Sequence, residues 1–404
     1  MSAWRMAWRN LWRNSRRTVV TMAAMGLALW VMVLYSGLVA GVLVNMAGDV
    51  LDFEVGDIQI YAQGYRDAPS LYTRIEDADT LVPKLEQAGF TVDPRLIAGG
   101  LAAAGDASAG VQIIGIDVAR DEKALRIHER IKDGEWLDPS DPKGVVLGTR
   151  IARNLGVHAG DEVIVLSQAA DGSPANDLYT VRGVLTTVGD MTDRSGFLMT
   201  QDAFRQLMVV PTGVHQLIVR VPEGMDLAAA KAEIESIDGK DDVQTWRQIM
   251  PIVSQMLDST RSIIYIVYLI VYFAIGILIL NAMLMAVFER IREFGVMKAI
   301  GTGPGLVFRL LIYETALETL IAVTIALLLA WPAGLYLAHQ GLNVGALAGV
   351  SMMGMAMPPV WTAHFDASTV VAPVAIELFI VAVSALYPAL KAARIQPLDA
   401  IHYH

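Results

Sequence analysis

Four long apolar stretches are set unevenly along the chain. Thr18 to Gly48 contains no charged residue, nor does Ser262 to Phe288; a third stretch runs from about Leu310 to Ala338 and a fourth from about Ala367 to Leu390. A helix rises 1.5 Å per residue, so roughly 20 apolar residues cross about 30 Å of hydrocarbon. The pattern predicts four spans, at 18–44, 261–288, 310–338 and 367–390. Gly341–Met357 is apolar too, but it is short, rich in Gly and Met, and followed by Pro358 and Pro359. It reads as a loop or interfacial segment within 339–366.

Residues 45–260 have a different pattern. Val55–Tyr61, Gly110–Ile116 and Leu217–Val221 alternate apolar and polar residues, as strands with one buried face do. Thr80–Ala88 and Asp226–Ile237 have helical spacing, and Gly144–Gly156 reads as a strand leading into a helix. Asp161–Leu166, Tyr179–Leu185 and Gly196–Thr200 add three strands. The predicted fold is an α-helical membrane protein with four transmembrane helices and an α+β domain between the first two. Within that domain, 45–130 and 212–250 form a strand–helix part near the membrane, interrupted by a β-rich insert around 131–211.

Charge orients the whole. Residues 45–260 carry 34 acidic and 19 basic side chains, a net of −15; the remainder carries 7 and 12, a net of +5. The basic residues flank the spans: Arg5, Arg9, Arg13, Arg16 and Arg17 before the first, Arg290, Arg292, Lys298 and Arg309 between the second and third, Lys391 and Arg394 after the fourth. Lys and Arg resist translocation, so residues 1–17, 289–309 and 391–404 are expected in the cytoplasm, with 45–260 and 339–366 outside. The apolar run after the N-terminal arginines is longer than a secretory signal's and reads as a retained anchor. Trp4, Trp8 and Trp12 recur every four residues, as do Arg5, Arg9 and Arg13. On a helix in the headgroup region these form neighbouring stripes, Trp toward lipid and Arg toward phosphate. Two readings stay open: an elbow helix that sets the first span's angle, and an ordinary positive-inside anchor.

Soluble-enzyme chemistry is sparse. Cysteine is absent, so disulfides play no part. The seven His are scattered, with no HExxH or Cys/His cluster, and there is neither a GxxxxGK[ST] phosphate loop nor a G-x-S-x-G turn. Asp190 and Asp193, in GDMTDRSG, read as part of a solvated polar loop. Three acids fall inside predicted spans: Glu314 and Glu318, one turn apart, and Glu377. A charge at mid-bilayer costs about 3 kcal/mol on insertion scales, so such acids face protein or water. Packing hydrogen bonds are favoured over a proton relay.

Glu289 to Gly303 (ERIREFGVMKAIGTG) resembles the signature of the FtsX-like permease family, the membrane subunits of type VII ABC transporters. Tyr387 to Ile401 (YPALKAARIQPLDAI) is similar to that family's ending, and Ala7 to Thr18 (AWRNLWRNSRRT) to its start. The resemblance implies that 289–309 is a coupling segment docking into an ATPase, with Arg290, Arg292, Glu293, Gly295, Lys298 and Gly301 as its interface residues. It marks Pro388, Arg394 and Pro397 as the carboxy-terminal motif. The segment VVLGTRIARNLGVHAGDEVIVLS resembles the outer domain of lipoprotein-releasing LolC/LolE-type subunits and of MacB, which implies a MacB-like periplasmic core domain. MacB carries a fused ATPase; here 17 residues precede the first span, and the ATPase, with its ATP and Mg, is expected on a separate chain.

The resemblance further implies a bacterial inner-membrane permease subunit, itself without enzymatic activity, paired with a second permease subunit. It would drive extracytoplasmic motion, with lipoprotein release as the expected work. Met32, Leu34, Leu38, Ile266, Leu269 and Phe273, in the outer halves of the first two spans, are the expected lining of the substrate cavity. The competing readings are an FtsX-like regulator of a cell-wall hydrolase, a MacB-like efflux permease with a periplasmic adaptor, and a membrane receptor or anchor without an ATPase. No nucleic-acid partner is expected.

Overall fold

The computed structural model describes residues 3–13, 15–344, 351–352, 355–356 and 360–396. They fall into two compact units: one drawn from 1–44, 256–346 and 359–404, the other chiefly from 45–255. The chain begins with helix α1, Ala3–Arg13, and the long apolar helix α2, Ser15–Val50. On α1, Ala7 and Leu11 are buried while Trp4, Trp8 and Trp12 are exposed. The helix thus docks by its small apolar stripe. Helix α2 ends in a wide turn, Leu51–Val55, closed by Gly56 at φ +70°, a backbone region that favours glycine.

The α+β unit then runs β1 Ile58–Tyr61, α3 Ala78–Gln87, β2 Thr91–Ala104, β3 Ala107–Ile116, α4 Val118–Ala124, β4 Ile131–Gly134, β5 Gly144–Leu147 and α5 Thr149–Leu155. It continues through β6 Glu162–Gln168, β7 Pro174–Leu185, α6 Asp190–Ser195, β8 Gly196–Thr200, α7 Gln201–Met208, β9 Gln216–Arg220, α8 Leu227–Asp238, β10 Asp242–Thr245 and α9 Trp246–Ile249. The ten strands make one sheet, ordered β10-β1-β9-β2-β3-β8-β5-β7-β4, with β6 bonded to both β2 and β7.

Strand β2 belongs to both halves of this sheet and β3 links it to β8, so one continuous sheet crosses the boundary drawn between 45–130 with 212–250 and the insert at 131–211. Strand β2 pairs with β9 through Thr91–Arg95 and with β6 through Leu101–Ala103. Leu96, Val111 and Ile113 accordingly pack with Val145, Ile151, Val163 and Phe204, whereas Ile58, Val92, Leu217 and Ile234 build a separate core. The segment holding Asp190 and Asp193 also differs from the solvated loop expected. It is helix α6, and Asp193 is buried with Oδ1 accepting the Val188 N–H at 2.9 Å. Asp190 pairs with Arg150 at 3.1 Å and Arg194 at 2.9 Å. Both acids have structural partners.

The last helices are α10 Pro251–Glu289, α11 Ile291–Ala299, α12 Pro304–His339 and α13 Ala367–Arg394. Helices α2, α10, α12 and α13 are each long and apolar enough to cross a membrane. Met25, Ile279, Met283, Val307, Leu310 and Val381 form their shared core, joined by Leu11 of α1 and Phe294 of α11. The described part of Gly341–Met357 carries no helix, only two-residue strands, such as Leu342–Asn343 against Val360–Trp361. Beyond these strands Phe365 lies against two glycines. A Cβ on Gly37 of α2 would sit 2.2 Å from its Cε1, and one on Gly334 of α12 3.1 Å from its ring. His364 donates its N–H to the Gly37 carbonyl at 2.8 Å. The glycines allow the return segment to approach helix backbone.

Candidate coupling site

Helix α11 is short, and its burial alternates with helical period. Ile291, Phe294 and Gly295 face inward, and Arg292, Glu293, Val296, Ala299 and Ile300 are exposed. It ends in a Schellman arrangement: Gly301, at φ +100°, donates to Lys298 O at 3.0 Å, and Thr302 N donates to Met297 O at 3.0 Å. Any other residue at Gly301 would strain the turn that halts the helix.

The charged residues of this segment are cross-braced to the bundle. Arg290 is buried; its Nη1 donates to both Glu314 oxygens, at 3.0 and 3.3 Å, and its Nε to Glu293 at 3.2 Å. Glu293 also receives Arg13 Nη2 at 2.6 and 2.8 Å, and Arg17 pairs with Glu289 at 3.0 Å. Burial pushes the Glu293 carboxyl up, but its bonds to Arg13 and Arg290 outweigh that and hold it below the usual carboxylate range. Lys298 Nζ donates to the carbonyls of Ala393 and Ile395, at 2.6 and 2.7 Å, and so closes the end of α13. Those terminal carbonyls have no partner within their own helix, and a cation there also suits the helix dipole. Partial burial lowers the Lys298 ammonium from its ordinary value.

Of the predicted interface residues, Arg290, Glu293 and Lys298 are therefore bonded inside the chain, Gly295 is packed, Gly301 ends the helix, and Arg292 lies on the exposed face. The same face carries two residues that sequence reasoning missed, Val296 and Ile300. Ile300 is 81% exposed, more than any other large apolar side chain among the described residues. Their signal was present: positions 292, 293, 296 and 300 share one helical stripe. In the carboxy-terminal motif, Pro388 is buried within α13 and Arg394 is its last residue; Pro397 lies outside the described residues.

The intramembrane acids have separate partners. Glu314 holds Arg290, Glu318 bonds the Thr18 hydroxyl, and Glu377 is fully buried beside Tyr272. Both Glu377 oxygens and the Tyr272 hydroxyl lack a hydrogen-bond partner among the described residues. The six residues expected to line a cavity do not share one surface within this chain. Met32 is buried against Tyr268 and Tyr272, and Leu34 and Leu38 are half-buried, while Ile266, Leu269 and Phe273 form an exposed stripe on α10. Position along each helix fixes only the level of these residues, and helix rotation decided the direction they face.

Four helices of membrane-spanning length, an α+β unit inserted after the first, and a braced helix between the second and third define a multi-span membrane protein with a large domain outside its spans. The family model described as the MacB-like periplasmic core domain matches residues 18–237, more than half the chain, and that described as the FtsX-like permease C-terminal region matches 265–397. The chain belongs to the MacB/FtsX-like family of ABC transporter permeases. It is similar to an uncharacterised ABC transporter permease of Methanocaldococcus jannaschii, 23% identical over 280 residues, which cover 67% of this chain and 65% of that protein. It is also similar to the lipoprotein-releasing system transmembrane protein LolC of Neisseria meningitidis, 22% identical over 73% of each chain. Among solved structures, the periplasmic region of MacB from Actinobacillus actinomycetemcomitans aligns with 52% of this chain and 98% of its own, at 13% identity and a TM-score of 0.37.

Proposed function

We propose that this chain is the permease subunit of an ABC transporter whose ATPase is a separate polypeptide, and that α11 is where the ATPase docks. The observation that carries the reading is the bracing of α11 onto three other elements. It is tied to α1 through Glu293–Arg13, to α12 through Arg290–Glu314, and to α13 through Lys298. A displacement of α11 is thereby delivered to the bundle as a whole. Helices α2 and α10 continue without a break to Val50 and back to Pro251, the two ends of the α+β domain. Val296 and Ile300 give the ATPase an apolar knob, flanked by Arg292. Desolvated apolar anchors of this kind carry most of an interface's energy.

The termini and α11 are cytoplasmic in this reading, on the distribution of Arg and Lys, and the α+β domain is extracytoplasmic. A second permease subunit completes the assembly, and the exposed stripe of Ile266, Leu269 and Phe273 suits either that subunit or an acyl chain. The cargo is a lipoprotein, a choice supported by the likeness to LolC over 73% of each chain. The test is affinity purification of the tagged chain in mild detergent. An ATPase should be retained and should disappear with Ile300→Asp; an identical set of retained proteins from both chains would reject α11 as the docking helix.

A further inference from the structure

Helix α1 presents three faces where it lies against α12. Ala7 and Leu11 are buried in a core shared with Leu310 and Leu311 of α12. Arg5 and Arg9 are exposed on the opposite side, about half a turn away, and Trp4, Trp8 and Trp12 are exposed between the two. Edge-to-face contacts join Trp8 to Trp12, 6.2 Å between ring centroids, and Trp4 to Tyr313 of α12, 6.0 Å. The aromatic row of α1 therefore continues onto α12. There Tyr313 belongs to an exposed stripe that begins with Arg309 one turn earlier and goes on through Ala316 and Leu320. From Pro304, where α12 begins, the stripe is cationic, then aromatic, then apolar.

The arginines at this junction are uncompensated. No acid precedes Asp49 in the sequence. Arg13 and Arg17 are taken by Glu293 and Glu289, and the neighbouring Glu314 by Arg290. Arg5, Arg9 and Arg309 meet no acid within ion-pair distance among the described residues. A planar guanidinium matches phosphate oxygens in pairs, and Trp and Tyr gather at the headgroup level of a bilayer. An acidic protein or a nucleic acid would engage the arginines but leave three exposed tryptophans without apolar cover. A free phosphate would use neither Tyr313 nor Leu320, which is 60% exposed. A phospholipid matches all three levels of the stripe, and an anionic headgroup matches its charge.

We propose that an anionic phospholipid of the cytoplasmic leaflet binds at the junction of α1 and α12. Its phosphate lies between Arg5 and Arg309, its ester region against Trp4 and Tyr313, and one acyl chain along the small Ala316 and Leu320. Arg9 adds to the attraction. The proposal rests on the cytoplasmic placement of α1 and the start of α12, and does not depend on the ATPase.

The test gives the full chain, in mild detergent, equal amounts of phosphatidylglycerol and phosphatidylcholine and reads the retained lipids by native mass spectrometry. The native chain should keep phosphatidylglycerol over phosphatidylcholine by about tenfold, and the Arg5→Gln, Arg309→Gln double variant should lose that preference. Ala316→Trp, which fills the acyl track and leaves the arginines in place, should lower phosphatidylglycerol retention several-fold. It takes the place of the double variant should that chain fail to fold. Arg16→Gln, at an exposed position outside this junction, should change nothing. A native chain without the preference, or a double variant that keeps it, would overturn the proposal. So would an equal loss in Arg16→Gln, which means attraction by charge alone, or release of the lipid by glycerol 3-phosphate, which means a plain anion site.

Discussion

Arg290 and Glu314 form a buried ion pair, 3.0 Å between Nη1 and Oε2, with side chains only 10% and 9% exposed. Arg290 sits where α10 gives way to α11, and Glu314 lies ten residues into α12, so this contact ties the start of α11 to α12. The Arg290 guanidinium also lies over the Phe294 ring, 5.2 Å from its centroid, which fixes the side chain between an apolar and an ionic partner. Removing one member of a buried pair leaves the other charge uncompensated, at a cost of roughly 3 kcal/mol or more. Glu314→Gln or Arg290→Gln should therefore lower the melting temperature in detergent sharply. The double Gln variant should regain part of that loss, because neither charge is then stranded. Thermal unfolding of the three variants checks this.

Ile300 makes the opposite prediction. At 81% exposure it adds little to the fold, so Ile300→Asp should leave the melting temperature within about 1 °C while weakening ATPase retention by tenfold or more. Titration of the purified ATPase against both chains measures the shift. Equal affinities would move the docking surface elsewhere.

His215 should impose a pH dependence on the α+β domain. Burial lowers its imidazole from 6.5 to about 4, and its neutral ring accepts from Ile97 N–H and meets Leu71 O. The unfolded chain then binds the extra proton below pH 6.5, so this contribution to stability is present above 6.5 and is lost as pH falls toward 4. Its size is up to about 3 kcal/mol. Asp93 works the other way: burial, with Asp121 close by, holds its carboxyl above the usual range despite Arg95, so its contribution declines as pH rises. The His215 component is isolated by difference. Urea unfolding of the native chain and His215→Gln at pH 7.5 and 5 should show a gap that narrows at the lower pH.

Gly37 and Phe365 give a packing prediction in the bundle. A Cβ at Gly37 would lie 2.2 Å from the Phe365 ring, so Gly37→Ala should destabilise by about 1–3 kcal/mol, and Phe365→Leu in the same chain should recover part of it. Gly41→Ala should have no such rescue, because its Cβ would meet the backbone carbonyl of Thr362 at 1.9 Å. Melting curves of the four variants decide.

What the sequence determined by itself is whatever depends on near neighbours. Apolar runs of span length, the alternation at Gly110–Ile116 and Leu217–Val221, and the strand-to-helix reading of Gly144–Gly156 each correspond to elements of the structure, because side-chain period and hydrophobic length are local properties. Strand β2, with its Gly99-Gly100 pair and alanine-rich end, carried no such signal, since its pairing comes from β3, β9 and β6 rather than from its own propensity. The tertiary structure alone decided which charges meet. Arg290 finds Glu314 across 24 residues, Lys298 reaches the carbonyl of Ala393 across 95, and His215 accepts the N–H of Ile97 across 118. It also turned Ile266, Leu269 and Phe273 away from Met32. Partner choice over such separations is set by helix rotation and strand order, which follow from packing the whole core and leave no periodic trace along the chain.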